Sequence, residues 1–85
     1  MLQWMVTMSK LYYMRHRVGH VEEASTEQLA FKAIHSINNN EMWPKKLVDD
    51  DGNTIWQDPA NYSTYDYFEQ LCSLSGITLE QGESL

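Results

Sequence analysis

The stretch Ser25-Thr26-Glu27-Gln28-Leu29-Ala30-Phe31-Lys32-Ala33-Ile34-His35-Ser36-Ile37-Asn38-Asn39-Asn40 decides how the rest of the chain is read. Ser25 is a good N-cap, Gln28 occupies the capping-box position and Glu27 sits favourably at the positive end of the helix dipole. Leu29, Ala30, Ala33, Ile34 and Ile37 then recur at helical spacing and make one apolar stripe. Asn tolerates the left-handed backbone with which helices often end, so Asn38-Asn39-Asn40 closes the segment. A helix apolar along one stripe must lie on something, and the flanking sequence supplies a sheet.

On the N-terminal side, Leu2, Trp4, Val6 and Met8 alternate and Leu11-Tyr12-Tyr13-Met14 continues with β-favouring residues, so Leu2–Val18 reads as extended until Gly19 breaks the run. It is one long strand or two joined near Ser9-Lys10; the alternation fits both. Residues 1–8 read as an extended arm, since Met8-Ser9-Lys10 is a more ordinary chain start than Met1. On the C-terminal side, Lys45-Lys46-Leu47-Val48 and Thr54-Ile55-Trp56 flank Asp49-Asp50-Asp51-Gly52-Asn53, two short β-prone runs around Asp-Gly and hence a hairpin. Asp58-Pro59 stops the second strand.

Ser63 with Asp66 caps a second helix, whose buried face is Tyr67, Phe68, Leu71, Cys72 and Leu74. Gly76 is its C-terminal glycine and Ile77 packs back. Ile77-Thr78-Leu79 is a candidate edge strand, and Glu80–Leu85 is expected to fray. The fold class is therefore α+β: a small antiparallel sheet of three to four strands with two helices on one face, in the order β-(β)-α-β-β-α. Eighty-five residues make one domain.

With 42% apolar and 21% charged residues the chain is globular in composition. Cys72 is its one cysteine, so no internal disulfide is available and a cytoplasmic setting is expected. The apolar N-terminus lacks a basic start, and the chain has no run of the roughly 18–20 apolar residues that a membrane span needs.

Charge is segregated. Lys10, Arg15, Arg17, Lys32, Lys45 and Lys46 all lie in residues 1–46 with four acids, a net of +2. Residues 47–85 hold Asp49, Asp50, Asp51, Asp58, Asp66, Glu69, Glu80 and Glu83 with no Lys or Arg, a net of −8. Such a segment repels nucleic acid and attracts basic surfaces.

Candidate chemistry fails on spacing. Aligning Gly52 with the glycine of a calcium-binding EF-hand loop puts Leu47 at the first ligand position, so Asp49–Asn53 is a solvated turn. His16 and His20 would stand roughly 13 Å apart in an extended chain, too far to share zinc. His35 sits on the flank of the first helix. Cys72 falls on an apolar helix face where thiols are inert. No catalytic set, cofactor or metal is expected. Arg15-His16-Arg17 behind Tyr12-Tyr13 could contact nucleic acid, but the acidity of the whole chain opposes it.

The remaining feature is the acidic half with its rings. Asp49, Asp50, Asp51, Trp56, Asp58, Tyr62, Tyr65, Asp66 and Glu69 form the candidate partner-binding set, because Tyr and Trp are common interface anchors and acids steer a basic partner. A small acidic chain without catalytic residues resembles phage-encoded inhibitors of bacterial defence, including anti-CRISPR proteins, in size and charge. That resemblance implies an inhibitor or adaptor occupying a basic, nucleic-acid-binding surface of a larger protein. The alternatives are a homo-oligomer assembled through the N-terminal strand edge and a small nucleic-acid binder using Arg15 and Arg17.

Overall fold

The computed structural model describes residues 8–59 and 65–85. Within them the chain runs β1 (Met8–Arg15), β2 (Val18–Ser25), α1 (Thr26–Asn39), β3 (Trp43–Val48), β4 (Thr54–Gln57), α2 (Asp66–Ser75) and α3 (Leu79–Glu83). The four strands form one antiparallel sheet in the order β2-β1-β3-β4, which is the α+β class expected.

The first strand ends sooner than Gly19. His16 and Arg17 both take positive φ, 52° and 66°, and turn the chain between the paired residues Arg15 and Val18. Two successive left-handed residues make the type I′ geometry whose twist matches a two-residue hairpin. Gly19 therefore lies inside β2, opposite Met14, and the second strand of the N-terminal region is Val18–Ser25. β1 pairs with β2 on one side and with β3 on the other, so it is a central strand. Among the described residues, Met8–Arg15 therefore presents no free edge. Residues 1–7, the rest of the expected arm, lie outside the described residues.

Alternation divides the sheet. Ser9, Leu11 and Tyr13 of β1 turn toward the helices, and Leu11 registers with Leu47 of β3, which registers in turn with Trp56 of β4. These residues pack with Leu29, Ala30, Ala33 and Ile34 of α1 and Phe68, Leu71 and Cys72 of α2 in one core. The buried Ser9 hydroxyl is satisfied by Thr26 Oγ1 at 2.6 Å, which ties β1 to the first turn of α1. The apolar stripe read from the sequence is the buried face of α1, with Ile37 at its margin. Ser25 caps that helix, accepting from Gln28 N, and Asn40 closes it at φ 53°.

The C-terminal region departs from expectation twice. Ile77–Leu79 adds no strand, and the stretch expected to fray from Glu80 folds as α3. Thr78 and Gln81 make a reciprocal capping box, with Gln81 N donating to Thr78 Oγ1 and Thr78 N to Gln81 Oε1. Asn38 and Asn39, at the end of α1, donate their side-chain amides to the carbonyls of Gly82 (2.8 Å) and Leu85 (3.2 Å). Gly82 is buried against α2, and a Cβ placed there would stand 2.4 Å from Cys72 Sγ. The proposed cap at Ser63 lies outside the described residues. The N-cap of α2 is Tyr65, which makes no side-chain capping bond.

Candidate partner-binding surface

The acids of the candidate set occupy two places. Asp49, Asp50 and Asp51 form the β3–β4 turn at the end of the sheet. Asp49 holds that turn together: its carboxylate accepts from Asp51 N (3.0 Å) and Asn53 N (2.8 Å), while Gly52 supplies the φ of 87° the turn requires. Oxygens of the three carboxylates lie within 4.8 Å of one another. The backbone amides already bound by Asp49 account for its position, as in an ordinary Asx turn, while Asp50 and Asp51 face solvent. Asp49 and Asp50 border a shallow depression of about 280 Å³ shared with Lys10, Tyr12 and Lys46.

The second place is the helical layer. Asp66 and Glu69 stand exposed in the first turn of α2, where carboxylates favour the helix dipole. They line a depression of about 330 Å³ with Gln70 and Ser73. Tyr65 is 44% exposed beside them, its ring stacked on Phe68 at 5.0 Å and edge-on to Tyr67 at 6.1 Å. α3 brings Glu80 and Glu83 to the same layer, two acids that belong there only because Leu79–Glu83 folds as a helix and does not fray. The field of Glu83 is felt nearby. The Tyr65 hydroxyl is held above its ordinary pKa, first by burial and then by Glu83. The Cys72 thiol is likewise raised by burial, followed by Glu83 and Glu69.

Two members of the set serve the fold. Trp56 is 2% exposed, and its indole N–H donates to the Tyr67 carbonyl at 2.9 Å, so this ring joins β4 to α2 and is not a surface anchor. Asp58 accepts from the Trp43 indole at 3.0 Å and lies 3.8 Å from Lys45 Nζ. Its charge is directed at its own sheet. Tyr62 lies outside the described residues.

The basic cluster is likewise divided. Tyr13 faces α1, with His20 stacked on it at 5.3 Å and Arg15 and Lys32 over its ring at 5.9 and 5.6 Å. Tyr12 faces the opposite way, with Lys46 Nζ 4.9 Å above its ring. His16 belongs to the hairpin turn and His20 to the Tyr13 stack, while His35 Nδ1 approaches the Glu41 carboxylate at 3.7 Å. Cys72 is buried in the core.

One surface was not legible beforehand. The helices cover one side of the sheet. Met8, Tyr12, Val21 and Trp43, all more than a third exposed, occupy the other with Lys10 and Lys46. Finding it needed the register of β2 and β3, which the sequence does not spell out.

No helix among the described residues is long and apolar enough to cross a membrane. Comparison of the chain with protein-family models, with curated proteins and with solved structures finds no match.

Proposed function

We propose that this chain is a non-catalytic protein-binding module that presents the acidic helical layer, with Tyr65 as its exposed ring, to a basic surface of a larger partner. The observation that carries the reading is that Asp66 and Glu69 of α2 and the acids of α3 share the helical layer, with Glu69 and Glu83 both acting on Cys72, in a stretch of chain that has no Lys or Arg after Lys46. Uncompensated carboxylates accelerate encounter with a cationic patch, and a ring at their margin supplies desolvated contact area. The likeness in size and charge to small phage-encoded inhibitors points to the same role, an inhibitor or adaptor on a nucleic-acid-binding surface. Asp49–Asp51 form a separate acidic point at the end of the sheet.

The test is affinity capture from the native host at low and high salt, with bound proteins identified by mass spectrometry. Wild-type chain should retain a basic partner that salt releases. The Asp66→Asn/Glu69→Gln/Glu80→Gln/Glu83→Gln variant should lose it, and Asp49→Asn/Asp50→Asn/Asp51→Asn should retain more. A partner whose binding ignores both salt and the helical substitutions sinks the proposal.

A second reading rests on the open face, where Tyr12 carries Lys46 on its ring and Lys10 and Trp43 share the surface. Stacking rings with interleaved lysines suit single-stranded nucleic acid. Tryptophan fluorescence titration with oligothymidine at low salt separates the two readings, since only the second expects saturable quenching abolished by Tyr12→Ala.

A further inference from the structure

We propose that two copies of this chain join through the outer edges of their β2 strands, antiparallel about a two-fold axis at Val21, to make one continuous eight-stranded sheet. This goes beyond the partner-binding reading and does not depend on it.

The sheet ends on β2 at one side and on β4 at the other. β4 has four residues and is followed by Asp58-Pro59, a common way to blunt an edge. β2 has eight residues, and among the described residues no strand lies beyond it. The direction of its free groups follows from the hairpin. Arg15 and Val18 flank a two-residue turn, and such a flanking pair exchanges both backbone hydrogen bonds. Val18, His20, Glu22 and Ala24 therefore direct N–H and C=O at β1, and Gly19, Val21 and Glu23 direct theirs outward. Those outward groups can bond antiparallel only to outward residues of another strand.

Side-chain pairing then selects the register. Opposed residues must share a face, so the allowed symmetric registers differ by steps of two. Centring on Glu22 opposes two carboxylates, and centring on His20 opposes two imidazoles. Centring on Val21 places His20 opposite the second copy's Glu22 twice over, Val18 opposite Ala24, and Val21 against itself. An imidazole N–H can donate to a carboxylate directly across the strands, whereas two carboxylates so placed destabilise. Gly19, Val21 and Glu23 then complete three hydrogen-bonded pairs with Glu23, Val21 and Gly19 of the other copy. Within each chain Glu22 is paired with Lys32, and Glu23 stands in register with Lys10 of β1, so each acid of the edge strand has a lysine on its own side of the contact. Val18 and Val21, each 55% exposed, gain cover. Because the axis is normal to the sheet, both helical layers stay on one side and both open faces merge on the other.

A contact between two strand edges belongs with the small interfaces, below about 1,200 Å² in total, so association is expected only at micromolar concentrations and above. The test is sedimentation equilibrium of the full chain from about 5 to 500 μM, a range set by that interface size. The measured mass should rise from one chain toward two. Val21→Pro removes an N–H that points away from β1, leaving the β1–β2 ladder intact, and Val21→Asp opposes two carboxylates on the axis. Both variants should stay monomeric at the highest concentration with unchanged circular dichroism. Amide resonances of Gly19, Val21 and Glu23 should move with concentration while those of Val18, His20 and Glu22 move less. A wild-type chain monomeric throughout overturns the proposal. So does a dimer that survives both substitutions, or one whose shifts centre on Tyr12 and Trp43 of the open face.

Discussion

Replacing Gly82 with alanine tests whether α3 is docked, through a contact whose size can be worked out. The new Cβ would lie 2.4 Å from Cys72 Sγ and 3.3 Å from Phe68 Cε1. Non-bonded carbon contacts prefer about 3.5–4.0 Å, so the sulfur must move by more than an ångström or α3 must lift. Cys72 is 2% exposed in the core and has little room to move. Overpacking costs about 1–3 kcal/mol, against which alanine gains up to about 1 kcal/mol of helix propensity over glycine. The net loss is about 0–2 kcal/mol. Cys72→Ala alone should cost about 1 kcal/mol for the buried sulfur. In that background Gly82→Ala places its methyl in the vacated space, so the clash vanishes and the propensity gain remains. The two substitutions should therefore couple by about 2 kcal/mol in a double-mutant cycle. Urea unfolding followed by the fluorescence of buried Trp56 supplies the four stabilities. Additive effects in the cycle would refute the docking of α3 on Cys72.

Arg17→Gly relieves the φ of 66° in the β1–β2 turn and should stabilise by about 0.5–1 kcal/mol, seen as a rise of about 3–6 °C in Tm. Trp56→Phe removes the indole hydrogen bond to the Tyr67 carbonyl and should cost about 1 kcal/mol in urea unfolding, while partner capture by the folded variant stays unchanged. Burial, aided by Glu83 and Glu69, raises the Cys72 thiol pKa in the fold. The unfolded chain thus releases this proton first, and the thiol's contribution to stability is full below its ordinary value of 9.0 and declines as pH rises toward the folded value. Cys72→Ala should flatten that alkaline decline in a pH series of unfolding midpoints, and Ellman's reagent should label wild-type Cys72 only as fast as the chain opens.

What could be read in advance was whatever local chemistry alone dictates. Ser25, the Leu29–Ile34 stripe and Asn40 announce α1 because cap, stripe and stop are written within sixteen residues. Asp49–Asn53 announces its turn in the same way. β2 was obscured because Val18-Gly19-His20-Val21-Glu22-Glu23-Ala24-Ser25 has no apolar alternation: it is an edge strand whose partner, β1, supplies the burial. Its turn was obscured because His16-Arg17 lacks the Asn-Gly chemistry that usually marks positive φ. α3 was legible in principle, since Thr78 and Gln81 stand at capping-box spacing, but five residues containing a glycine do not form a helix unaided. Trp56 was misplaced because an aromatic between acids has the same sequence whether its ring points in or out; the register Leu11–Leu47–Trp56 decides it.

The central position of β1 sets an order of assembly. β2 is next to it in sequence, but its other neighbour, β3, follows only after the whole of α1. During synthesis at about 5–20 residues per second, β1 and β2 can pair seconds before Val48 is available to meet Lys10. In that interval the β3 side of β1, with Tyr12 and Met14, is an open template for another nascent chain. α1, the most strongly specified helix, emerges in the same interval and can shelter Leu11 before the sheet is whole. Lengthening the α1–β3 connection should therefore lower the yield of soluble chain more than it lowers the stability of the chain once folded.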